Sequence, residues 1–157
     1  MTADGGKVPI TEAVRELVGQ AALALDAEAF DTFLGLCTED FQYRIRVMSP
    51  ELGQEMIWLE QSRVELGKLF AALPEHLTRP GRLTRQVSVA SIHEEAAGLL
   101  ATSVFSVFHT DFAGRTQVLA VGRYVDRWVL DEDAVRLRER DVHLDTRDLG
   151  IGSHVPL

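Results

Sequence analysis

Val135-Arg-Leu-Arg-Glu-Arg-Asp-Val-His-Leu-Asp145 closes a back half that reads as strand after strand. Side chains alternate faces along a strand. One face of this run therefore carries Val135, Leu137, Glu139, Asp141, His143 and Asp145, and the other Arg136, Arg138, Arg140, Val142 and Leu144. Each face changes character midway, apolar to acidic on one side and basic to apolar on the other. A sheet with one wet face keeps its faces distinct. The expectation is a strand running from a packed region toward a cavity or a subunit contact.

Working backward, three more strands are expected at 83–93, 98–110 and 116–130, with this last one at 135–148. Turn-rich connectors of four or five residues mark antiparallel hairpins. Strands this long twist and curl the sheet. Ahead of them, Val14, Leu17, Val18, Ala21 and Leu25 keep helical spacing, with Thr11 as N-cap. Asp26 is expected to cap a second helix with a buried stripe of Phe30, Phe33, Leu34 and Cys37. Thr38-Glu-Asp40 would end that helix before a strand at 41–47. Ser49-Pro50 is expected to restart a helix running to Leu73-Pro74, marked by Met56, Leu59, Arg63, Leu66 and Phe70. Helices first and a curled antiparallel sheet after them define an α+β class, with helices on the concave side of a cone. Residues 1–9 read as a loose lead-in and 10–157 as one domain.

The 157 residues suit one core, and 46% hydrophobic with 25% charged residues is an ordinary globular composition. A net charge of -8 argues against nucleic acid and against an anionic membrane surface. One cysteine cannot form an internal disulfide. With no signal-peptide core and no run of membrane-spanning length, a cytoplasmic protein is expected.

Leu25-Asp26, then Phe30-Asp31-Thr-Phe33-Leu34-Gly-Leu36 and Thr38-Glu-Asp40-Phe-Gln-Tyr43, resemble the opening signature of the small (beta) subunit of Rieske-type aromatic-ring-hydroxylating dioxygenases. Leu83-Thr84-Arg85-Gln86-Val87 is similar to that family's Thr-Arg segment. Val135-Arg136-Leu137, Arg140 and Leu144-Asp145 resemble its last strand. The run Glu55-Met-Ile-Trp58-Leu-Glu-Gln-Ser-Arg63 looks closer to the methanesulfonate monooxygenase hydroxylase branch. The departures are Phe33 for the usual tryptophan, Val87-Ser-Val-Ala90 for a Ser-Asn pair, and Ser153-His-Val-Pro-Leu157 for a hydrophobic end. The element order resembles the cone fold shared by nuclear transport factor 2, ketosteroid isomerase and polyketide cyclases. What the resemblance implies is a non-catalytic subunit in a trimer, held to a large (alpha) subunit that carries the Rieske iron-sulfur cluster and the mononuclear iron. Thr84, Arg85, Arg123, Arg127, Arg140 and Asp145 are the expected contact or scaffold residues.

The donor inventory is read separately. A Rieske centre takes two Cys and two His, and the mononuclear oxygenase site takes two His and a carboxylate. One cysteine rules out the first here. The His-x-Asp pairs His109/Asp111 and His143/Asp145 are weak metal signals, so no cofactor or metal is expected on this chain. The competing reading is a free-standing isomerase, dehydratase or cyclase using its own cone pocket. Its acid–base candidates are Asp40, Tyr43, His109, Glu139 and His143. A ligand-binding or assembly domain is a third. Finally, Leu119, Val121, Val125 and Val129 share a strand face with Arg123 and Arg127, while Val118, Ala120, Tyr124 and Trp128 hold the opposite one. A strand apolar on both faces is covered on both, and another copy of the chain is the expected cover.

Overall fold

The computed structural model describes residues 8–73, 81–149 and 156–157. The expected lead-in through residue 7, the loop at 74–80 with His76, and His154 lie outside the described residues. Helix α1 (Ile10–Asp26) and the short α2 (Phe30–Gly35) precede β1 (Cys37–Ser49) and β2 (Gln54–Ser62). Helix α3 (Arg63–Ala72) leads to β3 (Arg82–Glu95), β4 (Gly98–Thr110), β5 (Thr116–Asp131) and β6 (Ala134–Leu144). One six-stranded sheet has the order β2-β1-β6-β5-β4-β3. Only the β1–β6 pairing is parallel, so the α+β expectation holds.

The split character of the last strand has a different cause from the one expected. Leu137 pairs with Trp128 and Glu139 with the next residue back, Arg127, leaving Arg138 as an extra residue in the ladder. This β-bulge flips the alternation. Leu137 points into the core before it, and Arg140, Val142 and Leu144 do so after it, all nearly or fully buried. Similar register shifts at Ile45/Arg46, Val89/Ser91 and Val107/Phe108 bend other strands around one concave side. Gly122 lets β5 and β6 close: a Cβ there would lie 2.3 Å from the His143 carbonyl oxygen.

Helix α1 lies against β3, and α2 and α3 against β1. Their buried residues Val14, Val18, Ala21, Leu25, Phe33, Leu66 and Phe70 meet Phe41, Phe105, Tyr124 and Trp128 from the sheet. Phe30 stacks on Phe70 at 4.0 Å and Phe105 on Tyr124 at 4.2 Å.

Several local expectations are corrected. Helix α1 starts at Ile10 with Pro9 at its N-cap, so Thr11 is already helical and caps nothing. Asp26 is the last residue of α1 rather than a cap, because Ala29 precedes α2. Helix α2 ends at Gly35, which places Cys37 and Thr38-Glu-Asp40 in β1. The long helix after Pro50 is two elements. Residues 50–53 turn, with Gly53 at φ +61°, and β2 pairs back on β1. The helix begins only at Arg63, after the N-cap Ser62, whose capping box with Glu65 satisfies its first amides. Strand β6 stops at Leu144 instead of running to residue 148.

Candidate functional site

The bulge and the curl gather an unusual polar group on the concave side. Arg140 on β6 faces Asp126 on β5, donating from Nε and Nη2 to the two carboxylate oxygens at 2.9 Å each. Both residues are essentially excluded from solvent. The guanidinium carbon lies 4.1 Å from the centre of the Tyr124 ring, a cation–π contact. Burial pulls the Arg140 pKa down, but Asp126 outweighs it and the balance is upward. A buried pair of this kind needs both partners, since either alone is an uncompensated charge.

A second buried arginine lies on β3. Arg85 Nη1 donates to Asp26 Oδ1 at 2.6 Å, and the Arg85 amide donates to the same carboxylate at 3.0 Å. Its Nη2 donates to the Pro156 carbonyl oxygen. Tyr43 on β1 completes the set: its hydroxyl accepts from the Leu157 amide at 3.0 Å and lies 3.4 Å from the Leu157 carbonyl oxygen. Burial, aided by Tyr124, pushes the Tyr43 pKa up. Cys37 is buried beside Phe33, its thiol raised by burial from 9.0 to about 12, which makes it inert as a nucleophile near neutrality.

The five acid–base candidates do not converge. Tyr43 alone points into the core. Asp40 is exposed, pairing with Arg138 at 3.4 Å beside an open surface cleft of about 440 Å³ that none of the other four lines. On the convex face, Glu139 pairs with Arg127 at 3.1 Å and His143 Nδ1 with Glu55 at 3.3 Å. His109 is near the end of β4, where Asp111 accepts from the Arg115 amide in the following turn. Among the described residues, no three His, Cys, Asp or Glu are grouped to hold a metal. One buried cysteine does not fit a Rieske cluster.

The six expected scaffold residues also separate. Arg85 and Arg140 are interior, whereas Thr84, Arg123 and Asp145 are exposed. Arg127 bridges Glu139 and Glu95 across the convex face. That face is more polar toward β1 and β2, where Asp141 takes Arg44 and Arg46 at 3.2 Å each. Toward β4 and β5 it exposes Val104 and Val121. Sequence reasoning missed Asp126 and the pair Pro156–Leu157, and it took Asp26 for a helix cap rather than the partner of Arg85. Asp126 had a signal, lying two residues beyond Tyr124 on a core-facing parity; Pro156–Leu157 had none.

Among the described residues, no helix is long and apolar enough to cross a membrane. The chain is 32% identical to the beta subunit of the methanesulfonate monooxygenase hydroxylase of Methylosulfonomonas methylovora, over 93% of this chain and 86% of that one. It is 31% identical to the beta subunit of 2-aminobenzenesulfonate 2,3-dioxygenase from Alcaligenes sp, over 94% of this chain and 99% of that one. A naphthalene 1,2-dioxygenase structure superposes with a TM-score of 0.74 at 16% identity, covering 92% of this chain and 83% of its own. An NTF2-like protein with a cystatin-like fold from Novosphingobium aromaticivorans gives 0.62 at 17% identity, covering 85% and 80%. These likenesses fix the fold as the cystatin-like cone. The model for the ring hydroxylating beta subunit matches residues 20–150, and the chain belongs to that family.

Proposed function

We propose that this chain is the structural small subunit of a Rieske-type oxygenase hydroxylase whose substrate is an organosulfonate. Three copies form a base through the convex sheet face, and the remaining surface holds three large subunits. Those large subunits carry the iron-sulfur cluster and the mononuclear iron, and they bind the substrate. The domain spans residues 10–157 and works in the cytoplasm.

The observation that carries the reading is collinearity: two oxygenase beta subunits align along nearly the whole chain, and both are named for sulfonates. A second support is the interior. Its largest fully buried side chains include Trp128, Arg140, Tyr43, Tyr124, Phe33 and Phe41, and the other four acid–base candidates, Asp40, His109, Glu139 and His143, lie scattered outside it. Arg85 and Arg140 then serve as internal scaffold, while Thr84, Arg123 and Asp145 are free to meet other chains. Val104 and Val121 beside Arg123 make the mixed aliphatic and arginine surface that interfaces favour.

The test is affinity purification of the tagged chain from its native host. The expected result is a co-purifying larger subunit with iron-sulfur absorbance, and oxygen consumption that rises when an organosulfonate and the reductase are supplied. Repeated recovery of the chain without such a subunit overturns the reading. A complex that responds to a non-sulfonated aromatic instead overturns only the substrate class.

A further inference from the structure

The segment Pro156–Leu157 packs into the interior on the concave side of the sheet. Leu157 is 1% exposed, as buried as the central core residues, although it belongs to no helix or strand. Two polar side chains from two separate strands make three contacts with this segment. Arg85 Nη2 donates to the Pro156 carbonyl, and the Tyr43 hydroxyl contacts both the amide and the carbonyl of Leu157. Burying backbone amides is unfavourable unless they find partners, so these contacts are what allow an irregular segment to enter the core.

The receptor is built for a polar occupant. Asp26 grips Arg85 by its side chain and by its main-chain amide, and so fixes which way the guanidinium points. Arg85 Nε and Ser103 Oγ are buried with no hydrogen-bond partner among the described residues. An interior meant for apolar packing alone would not keep a guanidinium and a tyrosine hydroxyl there.

From this geometry we infer that Asp26, Arg85 and Tyr43 form a receptor for a Pro-Leu main chain supplied by the chain itself. Its occupation closes the concave side, and Leu157 acts as the apolar anchor. The ligand class is an extended dipeptide with an apolar second side chain. Recognition runs through an arginine that donates to one carbonyl and a tyrosine hydroxyl that meets the next amide and carbonyl.

Two measurements test this on the folded protein. The first introduces Leu157→Cys into the full chain and follows its reaction with a thiol reagent, Cys37 being buried. The expected rate is at least ~100-fold below that of the unfolded chain, as for a site opened only by local unfolding. Adding Tyr43→Phe or Arg85→Met raises it at least about tenfold, equivalent to 1.4 kcal/mol. Labelling at the unfolded rate, in a protein with native circular dichroism and a cooperative melt, overturns the inference. The second measurement uses a chain lacking residues 156 and 157, with N-acetyl-Pro-Leu as probe at millimolar concentration. A rise in its Tm that Arg85→Met abolishes supports the site. A folded truncated chain that does not respond, or a response unchanged by Arg85→Met, overturns it.

Discussion

Arg140 and Asp126 are the residues on which the interior depends most. Their bidentate pair lies against Tyr124 with no water-exposed edge. Replacing one partner, as in Asp126→Asn or Arg140→Met, is expected to cost about 3–5 kcal/mol, because the other charge stays buried and unpaired. Replacing both with apolar residues of similar volume should restore much of that loss, and urea melts of the single and double variants measure it. The same burial sets an alkaline limit. Burial raises Cys37 from 9.0 to about 12 and also lifts Tyr43 and Tyr124, so each acid ionises less readily in the fold than in the unfolded chain. Their contribution is whole below pH 9 and is lost as pH climbs toward the folded values. Tm is therefore expected to fall steadily above pH 9, and Cys37→Ala should flatten part of that fall. A Tm that stays level up to pH 12 contradicts the burial argument. Of these residues, Arg140 was singled out from the sequence as a scaffold residue, but its partner was not. Pairing across β5 and β6 depends on a bulge, and simple alternation puts Arg138 and Arg140 on one face when only Arg140 enters the core.

The bulges and caps also decide what was readable among the elements. Strands β3 to β6 were legible because turn residues separate long apolar runs, and hairpin pairing follows from short connections. Strand β2 was not, for a physical reason. It is an edge strand, mostly exposed, so its side chains are not forced into period two. Meanwhile Met56, Leu59, Arg63, Leu66 and Phe70 happen to keep helical spacing across the junction. The decisive signals were local: Gly53 in a turn requiring positive φ, and Ser62 three residues before Glu65. Ser62→Ala is expected to cost about 1 kcal/mol through loss of that cap. Gly122→Val should cost on the order of 2 kcal/mol or more, since its Cβ would meet the β6 backbone and Phe105. Chemical denaturation of the two variants checks both values, and a neutral Gly122→Val would mean that β5 and β6 are less closely apposed.

For the whole molecule, the fold was accessible from the order of its elements, and the family from short runs that survive at about 31% identity to its named relatives. The reading that joins structure to function is architectural. The inside of the cone is filled by Tyr43, Tyr124, Trp128, Arg140 and Leu157, and the proposed function rests on its surface. The convex sheet divides that surface into a self-paired charged region around Asp141 and an open aliphatic region at Val104 and Val121. Val104→Asp with Val121→Asp should leave the Tm of the isolated chain nearly unchanged, because surface substitutions seldom exceed ~0.5 kcal/mol, while abolishing self-association. The most direct test is native mass spectrometry of the chain purified with its bound partners. The account predicts an assembly of three copies of this chain with three larger iron-bearing subunits. A solitary copy, stable and without partners at every concentration, would contradict it.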